Sequence, residues 1–304
     1  MKQQKKLFVA AFMFIAGTSL FTACGEETFT DPRDGQKYKT VKIGEQVWMA
    51  EKLRYKGGAI EINEKEANYI WDSALVACPE GWRLPSKIEL ENVVSDTNFS
   101  RIWSATEVEE TSLGAYYQCW NRLDVGPKKG EGPVRCIQGE KTKYTPNTIN
   151  GFEAVRIGNQ IWMAKNIDAE TPNSVCYLED QEECSKGRFY SISEATTICP
   201  EGWRLPNKKD AATLINKLTK FCGGSARSDC WIVRSFWGQS MGYYEDNAQF
   251  KNGTGSMIIG YWLLADGDYI QNHIDLEVES LYSWMKKAKF NVRCIADTED
   301  KKEE

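Results

Sequence analysis

Three blocks of residues occur twice in this chain, in the same order, and that duplication limits the folds open to it. The longest is Cys78-Pro79-Glu80-Gly81-Trp82-Arg83-Leu84-Pro85-Ser86-Lys87, which returns as Cys199-Pro200-Glu201-Gly202-Trp203-Arg204-Leu205-Pro206-Asn207-Lys208 with one change. Ahead of it, Ile43-Gly44-Glu45-Gln46-Val47-Trp48-Met49-Ala50 returns as Ile157-Gly158-Asn159-Gln160-Ile161-Trp162-Met163-Ala164. Behind it, Val134-Arg135-Cys136-Ile137 returns as Val292-Arg293-Cys294-Ile295. The pattern predicts two copies of one domain, at 31–138 and 149–296, with a polar linker at 139–148 and a charged tail at 297–304. The linker should be open to limited proteolysis, with each fragment staying folded.

The N-terminus reads as an export signal. Lys2, Lys5 and Lys6 precede an apolar run from Leu7 to Ala16, too short to span a bilayer, which predicts a signal peptide over 1–23. The segment Leu20-Phe21-Thr22-Ala23-Cys24 resembles the lipobox of bacterial lipoproteins, with Phe21 where an aliphatic residue is usual. That resemblance implies a lipidated Cys24, a tether over 24–30, and a membrane as partner through the lipid anchor. Gly25-Glu26-Glu27 resembles the acidic surface-export tag of some Gram-negative lipoproteins, implying the cell envelope, the outer membrane and surface exposure. A net charge of −5 without a basic stripe excludes a general affinity for nucleic acid.

Ten cysteines minus Cys24 leave nine, so at least one is unpaired or intermolecular. Cys78 and Cys136 stand where Cys199 and Cys294 stand in the second copy, which predicts one long disulfide-closed loop in each. In the chain-entropy account each is worth about 4–5 kcal/mol before strain is deducted. Cys176 with Cys184, and Cys222 with Cys230, each bracket a polar loop and read as local staples. Zinc is the competing reading, against which stand spacings other than C-x-x-C and a single histidine, His273. Cys119 is left as a free thiol, and neither a metal nor a cofactor is expected.

Each copy opens with a hairpin, in which Gly44-Glu45 and Gly158-Asn159 suit a type II′ turn. A helix is predicted up to the first core cysteine, carrying Trp71, Ala74 and Leu75 in one copy and Ile192, Ala195 and Ile198 in the other. Ser86 with Glu89, and Asn207 with Asp210, then open a second helix. Short aromatic and glycine-rich strands fill the rest. The expected fold class is therefore α+β: hairpin, two helices and a strand-rich half closed by a disulfide.

At these residues the chain resembles the Fibrobacter succinogenes major paralogous domain family. The shared features are the Val-x-Ile-Gly-x-Gln-x-Trp-Met-Ala opening, the Cys-Pro-x-Gly-Trp-x-Leu-Pro centre and the Val-Arg-Cys end. The Arg-Leu-Pro-Ser turn is also similar to the wider C-type-lectin-like group, which includes formylglycine-generating enzymes. The resemblance implies two tandem C-type-lectin-like domains, exported and often lipid-anchored, without an established activity. The enzyme relatives use a reactive cysteine pair late in the domain. Here Cys119 stands alone there and Cys222 with Cys230 lies in a loop, so that role does not carry over.

Few residues suggest chemistry. One histidine cannot serve a triad in each copy. Glu80 and Glu201 are the acids of the repeated centre and read as acceptors that stabilise a turn. Arg83 and Arg204 read as partners of a carboxylate near that turn, rather than as a ligand clamp. The calcium-dependent sugar motif of lectins is absent, since Thr145-Pro146-Asn147 and Thr171-Pro172-Asn173 lack its first residue. Six of eleven tryptophans pair between copies and read as core: Trp48/Trp162, Trp82/Trp203 and Trp103/Trp237. Unpaired aromatics in the strand-rich halves make a candidate ligand face: Tyr116, Tyr117, Trp120, Tyr243, Tyr244, Tyr261, Trp262 and Trp284. The spacing between the core cysteines grows from 58 residues to 95 between the copies, as loops of a binding surface do, which places the face between about Trp231 and Trp284.

The function expected is that of a non-catalytic, lipid-anchored envelope protein with two binding domains for a glycan or an envelope or extracellular protein. The alternatives are a structural envelope protein without a soluble ligand, and a cryptic enzyme related to formylglycine-generating-type folds.

Overall fold

The structure, a computed structural model, describes residues 27–93, 101–119, 122–141, 147–176, 181–227, 229–237, 243–244, 250–251, 260–272 and 274–297. The export signal, Cys24, Trp120, His273 and the tail from 298 lie outside these residues, as do the side chains of Tyr244 and Trp284.

The opening hairpins form in both copies. Lys37–Ile43 pairs with Gln46–Met49, and Phe152–Ile157 pairs with Gln160–Met163, each across a two-residue turn. Gly44 and Gly158 take φ of 60° and 59° while Glu45 and Asn159 keep negative φ, which is the type II′ pattern. Each hairpin then gains the strand after its Val-Arg-Cys block (Ile137–Gln138 or Ile295–Ala296) and, beyond it, the Trp-Arg strand (Trp82–Arg83 or Trp203–Arg204). With Thr28–Thr30 or Thr148–Ile149 on the hairpin's other side, the result is the same five-stranded order twice, with Trp48 and Trp162 fully buried on it. Disulfides Cys78–Cys136 and Cys199–Cys294, both with Cα atoms 5.9 Å apart, tie the Cys-Pro turn to this sheet.

The repeated arginines belong to the helix starts. Arg83 donates to both Glu89 oxygens at 2.7 and 2.6 Å, and Arg204 donates to both Asp210 oxygens at 2.6 and 3.1 Å. Each acid is also the third residue of a capping box, closed by Ser86 or by Asn207. Burial alone would raise the Glu89 carboxyl, but Arg83 and the Ser86 N–H and hydroxyl outweigh it and hold the group at about 2. Glu80 and Glu201 are exposed at the turns, and the carbonyl of Glu201, not its carboxylate, accepts the Asn150 amide at 2.9 Å.

The α+β layout of tandem C-type-lectin-like domains is not what forms. Among the described residues strands dominate, in several small sheets, and only Lys208–Phe221, with 14 residues, is a long helix. The others are Trp71–Ala77, Lys87–Glu91, Ile192–Ala195 and Trp231–Trp237. The helix expected to reach Ile198 stops at Ala195, because the hydroxyls of Thr196 and Thr197 bond back to the carbonyls of Ser193 and Glu194. The first copy adds a meander, Trp103–Glu107, Gly114–Cys119 and Arg122–Pro127. The second adds a six-stranded sheet in which Gly260–Leu263 runs parallel to Phe290–Asn291. Trp103 and Trp237 are both buried but do not correspond, since one lies in a strand and the other in a helix.

Candidate binding cleft

The two copies meet through their backbones. The loop after Trp103–Glu107 lies along the end of the strand Phe152–Ile157, beyond its short partner Thr148–Ile149: Thr111 bridges Ile157, Ser112 N–H donates to the Arg156 carbonyl at 3.1 Å, and Gly158 N–H donates to the Glu110 carbonyl at 2.9 Å. The Arg156 guanidinium reaches the Glu109 carbonyl at 2.7 Å. Cleavage within 139–148 therefore leaves these inter-copy bonds to be broken before the fragments part.

Beside this seam lies a cleft of about 750 Å³. One wall is the meander of the first copy, with Tyr116, Tyr117 and Asp124; the other is Lys217, Phe221 and Trp231 of the second. A disulfide builds the second wall. Phe221 ends one helix and Trp231 begins the next, with Cys222–Cys230 joining the residues between them. The two rings meet edge to face, centroids 5.3 Å apart. The far edge of Trp231 occupies the space a side chain on Gly114 would need, its Cη2 only 2.6 Å from where a Cβ would sit. Tyr117 packs edge to face on Trp103 at 5.8 Å, and burial, with Asp124 beside it, pushes its hydroxyl above the ordinary tyrosine range. Lys87 sits over the Tyr116 ring at 4.2 Å. A smaller chamber of about 260 Å³ continues past Tyr117, Val125 and Trp231 toward Arg101 and Glu131. The cleft thus gathers aromatic rings from both copies, with Glu110, Asp124, Lys217 and Lys220 also in its lining.

The members of the ligand face expected between Trp231 and Trp284 whose side chains are described do not form an exposed surface. Tyr243, Tyr261 and Trp262 are 8%, 9% and 2% exposed. Trp262 stacks on Trp237 at 4.2 Å, and Tyr243 and Tyr261 pack on each other and toward Phe290 and Tyr269. They fill the interior of the long second copy because its six-stranded sheet needs apolar residues on its buried face. Tyr116 and Tyr117 do line a concave surface, whose other wall holds Trp231, the expected boundary of the ligand face, together with Phe221, which no sequence signal singled out. Cys176–Cys184 closes a loop next to the strand Val175–Cys176, and Cys119 is a half-buried free thiol at the end of its strand. No group of three or more histidine, cysteine or acidic side chains among the described residues is placed to hold a metal.

Residues 155–231 match the Fibrobacter succinogenes major domain. The match runs from the opening hairpin of the second copy to Trp231 at the cleft, and it extends to neither the first copy nor Cys294. It lends no support to a C-type-lectin likeness. No curated protein and no solved structure matches the chain.

Proposed function

We propose that this chain is an exported, lipid-anchored protein of the cell envelope that binds its ligand without catalysis, using two tandem copies of the major domain. The ligand is a glycan, seated in the cleft between the copies. The observation that carries this reading is the cleft itself, where Tyr117, Phe221 and Trp231 line one concavity. Aromatic faces give sugar rings a stacking surface at low entropic cost, and the bordering carboxylates and amines suit hydroxyl groups. In support of duplication, the two five-stranded sheets share one strand order.

The test is a glycan array probed with the detergent-solubilised full chain. Tyr117→Ala with Trp231→Ala should reduce capture at least about tenfold, the loss of roughly 1.4 kcal/mol, with a small change in melting temperature. Unchanged capture places the site elsewhere. Anchoring through Cys24 is tested separately: wild type should partition into detergent phase and carry acyl mass, and Cys24→Ala should do neither. Identical partitioning of the two proteins contradicts the anchor.

A further inference from the structure

A second recess, of about 360 Å³, lies apart from the cleft and shares no lining residue with it. Its charged lining is Lys129 from the first copy with Lys165, Lys186 and Arg293 from the second, and no carboxylate lines it among the described residues. Phe236 and Trp237 form its apolar wall. Lys165 does approach a carboxylate, Glu153 at 3.5 Å, but both side chains are well exposed and such a pair is weak.

Arg293 is the repeated arginine of the Val-Arg-Cys block, and it is 4% exposed. Its Nε donates to Asn166 Oδ1 at 3.0 Å, its Nη1 to the Phe236 carbonyl, and its plane lies over the Phe236 ring at 4.7 Å. No carboxylate among the described residues pairs with it, and burial lowers its guanidinium to about 9. A buried cation without a counter-charge is costly, and a bound anion is what removes that cost. Trp237 supplies the second, independent observation. It is 2% exposed, and its indole N–H has no hydrogen-bond acceptor among the described residues. A buried donor of this kind calls for an acceptor.

We propose that this recess is an oxyanion site, in which Arg293 and the Trp237 N–H meet a phosphate or sulfate group and Lys129 and Lys165 close over it. The group arrives either as the free ion or on a sugar-sized molecule, for which the volume is sufficient. Because Lys129 belongs to the other copy, the anion bridges the two. This inference does not depend on the cleft reading.

Calorimetric titration of the full chain with inorganic phosphate, inorganic sulfate, glucose 6-phosphate and glucose tests it. The expected result is saturable binding of at least one anion and none of glucose. Tighter binding of glucose 6-phosphate than of phosphate marks the sugar-borne group; the reverse marks the free ion. The exposed pair Lys129→Ala with Lys165→Ala should weaken that binding by about tenfold, as loss of charge-assisted hydrogen bonds does. Trp237→Phe, which keeps an aromatic ring in the core but removes the N–H with part of the indole, should weaken it too by more than its change in melting temperature explains, while Tyr117→Ala in the cleft should leave it unchanged. Absence of saturable anion binding, or binding indifferent to both the lysine pair and Trp237→Phe, overturns the proposal.

Discussion

Trp262→Ala should destabilise the protein by about 3–5 kcal/mol, the range for emptying a large aromatic site in a core. Trp262 is 2% exposed, stacks on Trp237 at 4.2 Å, and donates its indole N–H to Asn166 Oδ1 at 2.9 Å. That same oxygen accepts from Arg293, so the substitution disturbs the seat of a buried cation as well as leaving a cavity. Urea unfolding followed by circular dichroism reads the effect as a lower midpoint at constant slope. A shift equivalent to less than about 1 kcal/mol would place Trp262 at a surface, as only a surface site tolerates such a truncation. Any ligand capture lost with Trp262→Ala therefore reports unfolding, not a missing contact.

The disulfides should separate stability from capture. Cys199–Cys294 spans 95 residues and Cys222–Cys230 spans 8. In the chain-entropy account, replacing the first pair with alanine costs about 5 kcal/mol and the second about 2–3 kcal/mol. The ranking reverses for binding. Cys222–Cys230 holds Phe221 against Trp231, so its loss loosens one wall of the cleft, whereas Cys199–Cys294 lies in the sheet core. Thermal unfolding and array capture, measured on both double variants, should give opposite orders. Equal losses of capture at matched temperature below both transitions would contradict the role given to Cys222–Cys230.

What the sequence made legible were features set by neighbours in the chain. Gly44 and Gly158 specified their turns, and Ser86 and Asn207 their helix starts, because a cap or a tight turn is decided within four residues. Asn150-Gly151 is an equally local signal: φ values of 49° and 84° make it a type I′ turn between Thr148–Ile149 and Phe152–Ile157. The helix Trp231–Trp237 is hard to read from sequence for a different reason. Its aromatic and β-branched residues favour a strand, but Ile232, Val233, Phe236 and Trp237 fall at helical spacing and are buried together. The burial of Tyr243, Tyr261 and Trp262 was not legible, because unpaired aromatics read the same whether they face a partner or a sheet core. The cleft was invisible because Tyr117 and Trp231 come from different copies and are brought together only by the seam at Thr111 and Ile157.

Oxidative footprinting of the full chain, with and without the glycan that scores highest on the array, tests the central claim most directly. The account predicts protection at Tyr116, Tyr117, Phe221 and Trp231 together, from both sides of the cleft, with the exposed Tyr282 unchanged. Protection confined to one copy, or absent from all four residues while the glycan is bound, would contradict it.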